Sequence, residues 1–238
     1  MKTTTTLALA LSLAAATLVA DIMHRAPTPQ EKAAMEKAFA AITKVVNSFP
    51  NADWYVVSQF HPKTDDVNAE PASPLDTSLN YNLKYGVKDG SPLFKTKIMP
   101  VIASIQKAMD AKDYAGAQKA GEATNGTMDF TVDTEVNRLN VRAPGPKITK
   151  IQAKGATVAY ASTAGAGWEV VVGVGDWAHA TAAPNYLNYK FKNSKGSPHI
   201  ENIVFVFRAR RPAGFGADRI RQIVSATDWS QLNAGLTR

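Results

Sequence analysis

Cysteine is absent from all 238 residues. Its absence excludes a disulfide framework, a thioether-linked lipid anchor, an iron–sulfur cluster and thiolate zinc. Stability must therefore come from a hydrophobic core. Histidine is scarce. The four present, His24, His61, His179 and His199, form neither H-x-x-x-H nor H-E-x-x-H, so no local zinc pair exists. The chain also lacks G-x-S-x-G and the calcium-loop pattern. No metal and no cofactor is therefore expected, and catalysis has no local signature.

Long apolar runs are missing too, except at the start. MKTTTTLALALSLAAATLVA opens with Lys2 and continues as an almost uncharged apolar run from Leu7 to Ala20. As a helix that run rises roughly 21 Å, short of a hydrocarbon core of about 30 Å. Its length and flanks predict a secretory signal peptide over 1–20, cut somewhere between Ala16 and Ala26. No transmembrane segment is expected, and the destination expected is periplasmic or secreted. The remainder, 27–238, with 45% apolar residues overall, is large enough for a single domain. Loss of Lys2 with the leader takes the formal charge from +7 to +6. So modest and dispersed an excess favours anionic partners weakly and predicts no specific nucleic-acid partner.

The clearest element in the chain begins at Thr28-Pro29-Gln30-Glu31, a capping box with proline at the first helical position. Met35, Ala38, Phe39, Ile42, Val45, Val46 and Phe49 follow at helical spacing, predicting a helix over Pro29 to Ser48. Asp53 to Phe60 reads as a strand. His61 to Ser78, with Pro62, Pro71 and Pro74, reads as a long polar loop, either mobile or functional. Leu79 to Lys88 alternates, with Leu79, Tyr81, Leu83 and Tyr85 on one side. A helix from Pro100, a restart at Asp110-Ala-Lys-Asp113 and a turn at Asn125-Gly126 make a helical hairpin. Strands then dominate until a final helix with Ile220, Ile223 and Val224 inward, and Asp228 caps a last turn. Strands that cluster instead of alternating with helices predict an α+β fold. That fold is a single largely antiparallel sheet, with the N-terminal helix, the central helical hairpin and the C-terminal helix packed on it.

One stretch tests this reading. Gly173-Val-Gly-Asp-Trp-Ala178 matches G-x-G-x-x-[GA], the loop that carries a dinucleotide pyrophosphate. Thr163 to Gly167 is too short for anything but an antiparallel hairpin between Ala156–Ser162 and Trp168–Val172. Pro184 also forbids a long helix after Asp176. The segment is therefore read as a strand buried on both faces, its glycines marking a bulge or a close backbone approach.

Three groups of side chains carry the candidate chemistry. Arg208, Arg210 and Arg211 leave a strand end together and can fork onto an anion, small or polymeric. Asn82, Tyr186 and Asn188 pair amides with an aromatic ring on exposed strand positions, a surface for a small ligand. Asp176 and His179, three residues apart, would serve an envelope hydrolase. The leading expectation is a non-catalytic exported binding or accessory protein for a small ligand or envelope partner. The alternatives are that hydrolase and an anionic-polymer binder working through Arg208–Arg211. An apolar pocket between helices and sheet would suit a lipid-like or aromatic ligand.

Overall fold

The computed structural model describes residues 24–60, 64–77, 79–124, 128–142, 147–163, 167–183 and 186–237. The expected leader, His61 and the turns expected at Asn125-Gly126 and Ala143–Pro146 lie outside the described residues.

The first helix forms for the reasons its sequence states. In α1 (Pro29–Val46) the Thr28 hydroxyl accepts from the Glu31 N–H at 3.3 Å. The Glu31 carboxylate in turn accepts from the Thr28 N–H at 2.7 Å, closing the capping box. Met35, Ala38, Ile42, Val45 and Val46 are buried and press one stripe onto the sheet. The pair β1 (His24–Arg25) and β3 (Val67–Asn68) ties the segment before this helix to the polar loop.

Seven strands form the main sheet, all antiparallel. In spatial order they are β2 (Trp54–Phe60), β4 (Tyr81–Val87), β5 (Asp129–Val136), β12 (Asn202–Ala209), β9 (Trp168–Gly175), β8 (Val158–Ser162) and β7 (Ile148–Lys150). Two meanders, β2–β4–β5 and β7–β8–β9, thus stand apart until the last strand fills the gap between them. Ile203, Val204, Phe205, Val206 and Phe207 of that strand are fully buried, each contributing about 1.5–3 kcal/mol relative to exposure. The fold is α+β, as the order of elements implies.

On one sheet face α1, α4 (Phe215–Ala226) and the final turn at Trp229–Gly235 close the larger core. Phe49, Phe205, Phe207 and Trp229 pack there with ring centroids 5.3 to 6.3 Å apart. α4 starts at Phe215, three residues before the Asp218 start expected, with Ile220, Ile223 and Val224 inward. The interface expected to hold an apolar pocket is instead filled by these rings.

On the other face a three-stranded sheet, β10 (Thr181–Ala183), β11 (Tyr186–Asn188) and β6 (Asn140–Arg142), covers β12, β9 and β8. Val141, Trp177 and Tyr189 meet Val158, Val171, Val204 and Val206 in a second core. This cover explains why Val170, Val171 and Val172 are all buried. The outward residues of β4 and β5 remain polar: Asn82, Lys84, Asp129, Thr131 and Asp133.

Two expectations change in detail. The described part of the long loop, 64–77, is neither loose nor merely polar. Val67 and Leu75 enter the core, and buried Asn137 donates to the Leu75 carbonyl at 3.0 Å. The central hairpin, α2 (Met99–Asp110) and α3 (Tyr114–Thr124), joins β4 to β5, and its helices meet each other more than they meet the sheet. Asp113 caps α3 by accepting from the Gly116 N–H at 2.9 Å. Ile105 lies over Gly121, but no residue of α2 is buried.

Candidate functional site

The segment that matches a dinucleotide loop has antiparallel neighbours on both sides. Val172 pairs with Phe205 of β12 and with Ala159 of β8, and only a three-residue turn, Trp177–His179, follows. No helix N-terminus is there to receive a pyrophosphate. Its glycines serve close packing. A β-carbon on Gly173 would stand 3.0 Å from the Ile203 carbonyl oxygen. Gly175 has φ +122° and would place one 2.6 Å from the Glu201 oxygen. Of the two readings given to these glycines, close approach is what the register of β9 shows; it contains no bulge.

A cleft of about 520 Å³ opens where the uncovered half of the outer face meets the small sheet. Lys84, Thr131, Arg208 and Glu169 reach it from four adjacent strands, and Arg142 reaches it from β6. Phe130, Trp168 and Ala209 border it at the strand ends, but their side chains alternate with these and pack in the larger core on the opposite face. Its cations are Lys84, Arg142, Arg208 and Arg210, its carboxylates Asp129 and Glu169.

Pairing divides these charges. Lys84 Nζ lies 2.9 Å from Asp129. Arg208 is clamped from both sides, its Nε 3.1 Å from Glu169 and its Nη1 bonded to Asp133, which also accepts from the Asn82 amide. Burial pulls the Arg208 guanidinium below its ordinary value, yet a guanidinium remains charged at any physiological pH. Arg142 forms no ion pair among the described residues. Even with Asp133 counted, cations outnumber carboxylates here.

Arg208 and Arg210 therefore line one cleft together, but Arg208 is already forked onto two carboxylates of its own chain. Arg211 is exposed and does not line the cleft. Asn82 touches the site only through Asp133. Tyr186 pairs with Arg142 across β11 and β6, and Asn188 lies opposite Asn140 farther along. Lys84, Asp129, Arg142 and Glu169 were not anticipated. Alternation marks Lys84 as outward, but Arg142 sits on a three-residue strand between breaks and carries no periodic signal.

The second candidate pair is real as a contact. Asp176 Oδ1 is 2.6 Å from His179 Nδ1, and its Oδ2 is 2.8 Å from Lys192 Nζ. The hydrogen bond from Lys192, then that from His179, holds the Asp176 carboxyl below its usual value. A cleft of about 430 Å³ adjoins it, bordered by Tyr189, Asn193 and Glu201. Glu201 is buried and accepts from the Lys192 and Asn193 backbone N–H groups and from the Asn193 amide at 2.8 to 3.1 Å, so it is a structural anchor. Both Asp176 oxygens are engaged, His179 stands largely exposed, and none of its contacts among the described residues is to a hydroxyl.

Among the described residues no cluster of three His, Asp or Glu side chains is placed to hold a metal, and no helix is long and apolar enough to cross a membrane. Compared with protein-family models, curated proteins and solved structures, the chain finds no match in any of the three.

Proposed function

We propose that this is an exported, non-catalytic binding protein whose ligand is a small organic anion held in the 520 Å³ cleft. The apolar run of the first twenty residues supports export. One observation carries the ligand class: an excess of cations, including Arg142 without an ion pair among the described residues, lines the cleft. A few convergent charged groups in a cleft of this size suit a small ligand. The anionic group would bind Arg142, because Arg208 is held by Asp133 and Glu169 and acts as their scaffold.

The test uses 8-anilinonaphthalene-1-sulfonate, an aromatic sulfonate of suitable size. One-to-one binding is expected. Arg142→Ala is expected to weaken it about ten- to a hundredfold, the usual worth of a hydrogen bond to a charged group. Binding indifferent to Arg142→Ala sinks the reading. An affinity for polyanions falling steeply with salt would favour instead a polymer bound through Arg208–Arg211.

The 2.6 Å contact of Asp176 with His179 supports a second reading, an envelope hydrolase. Turnover of simple esters lost in a folded His179→Ala variant would favour it over the binding protein.

A further inference from the structure

The small sheet does more than cover the second core. Val141 and Leu187 turn into that core, so the alternate residues of β6 and β11 turn outward. Register sorts these into two rows. Thr181, Asn188 and Asn140 lie side by side across β10, β11 and β6, and Tyr186 lies beside Arg142 in the next row. Residues two apart along a strand stand roughly 7 Å apart, so the rows are neighbours. Tyr186 is 45% exposed, and Thr181 and Asn188 are exposed as well. The side chains of all five hydrogen-bond to no described residue. Arg142 belongs to two surfaces at once, because β6 is the edge of the small sheet and Arg142 also lines the 520 Å³ cleft.

The donors and acceptors select the occupant. Beside its cations the cleft holds Asp129 and Glu169, each with one carboxylate oxygen in an ion pair and the other unengaged among the described residues. An inorganic anion or a polyphosphate would meet these carboxylates as like charges. A ligand with hydroxyls next to its acid would donate to them. Arg142 supplies the fork for the acid. On the adjoining face the two amides and the Thr181 hydroxyl both donate and accept, as neighbouring sugar hydroxyls require. The Tyr186 ring, negative over its face, suits the C–H groups of a sugar. A fatty chain or an apolar peptide finds no large aliphatic side chain in either row. We infer that the ligand is an acidic oligosaccharide. One uronic-acid unit is bound in the cleft through Arg142, Asp129 and Glu169, and the next unit stacks on Tyr186 beside the amides of Asn140 and Asn188. This inference rests on the anion site of the cleft and extends it onto the small sheet.

Isothermal titration calorimetry with a galacturonic-acid trisaccharide is the experiment, with galacturonate, maltotriose and inorganic tripolyphosphate alongside. The trisaccharide should bind one-to-one, more tightly than galacturonate and far more tightly than maltotriose. Tyr186→Ala should weaken the trisaccharide roughly three- to tenfold and leave galacturonate unchanged. Its circular dichroism spectrum should match the wild type's, because the ring is exposed, and Tyr186→Phe should bind as the wild type does. Arg142→Ala should weaken both acids. A trisaccharide held no tighter than galacturonate overturns the inference, as does indifference to Tyr186→Ala. Tripolyphosphate bound as tightly as the trisaccharide also overturns it, since charge alone would then suffice. If the aromatic sulfonate binds through Arg142 and the trisaccharide does not bind, the inference falls and the anion site stands. If neither binds, both fall.

Discussion

The capping box of α1 makes a prediction about acid stability that can be worked through. Glu31 is 3% exposed, and its carboxylate accepts three hydrogen bonds: two from Arg25, at 2.8 and 2.6 Å, and one from the Thr28 N–H. The Arg25 hydrogen bonds, more than any other cause, hold its pKa down to about 2 from an ordinary 4.5. A folded-state value below the unfolded one contributes stability above the unfolded pKa and loses it as pH falls through the folded pKa. The window here is therefore pH 4.5 down to 2. A shift of that size corresponds to roughly 3 kcal/mol. The Arg25 side chain is 39% exposed, and solvent screening brings the expectation to about 2 kcal/mol. Glu31→Gln should cost about that much at pH 7 in urea unfolding, and its stability should fall less than that of the wild type between pH 5 and pH 2.5. Parallel pH profiles for the two proteins would refute the reasoning, since Glu31 would then titrate alike in both states.

The same contact bears on the proposed export: a cut after Ala26 would remove Arg25 and β1, so if a leader is cleaved, mass spectrometry should find the new N-terminus upstream of His24. Trp229 touches Phe49, Phe205 and Phe207 and donates from its indole to the Val224 carbonyl at 3.1 Å. Trp229→Ala should destabilise by about 3–5 kcal/mol in denaturant titration, and Trp229→Phe by about 1–2, chiefly the lost hydrogen bond. Gly175→Ala should cost about 2–3 kcal/mol, from positive φ and the clash with the Glu201 oxygen. Gly90→Ala, at φ +74° with open space around it, should cost less by thermal melting.

Much of the frame is legible in the residues themselves, because a cap or an alternation needs only neighbours in the chain. Thr28 to Glu31 specifies where α1 begins, and Leu79, Tyr81, Leu83 and Tyr85 specify which face of β4 turns inward. The short Thr163–Gly167 connection makes β8 and β9 antiparallel, and with that the nucleotide reading of Gly173–Ala178 fails. Asp228 caps the final turn as its position suggests, its carboxylate accepting from the Ser230 N–H.

What only the tertiary structure decided involves partners far apart in sequence. Arg208 finds Asp133 and Glu169, 75 and 39 residues away, because β12 enters between β5 and β9. Nothing local to Arg208 shows that its charge is already engaged. The cleft arises in the same way, from strands brought side by side by pairing order, and Arg142 joins it through a small sheet whose strands are too short to show a period. Alternation tells a side chain which face of a sheet it occupies, but register across strands decides which charges it meets there. That register follows from the burial of the whole core.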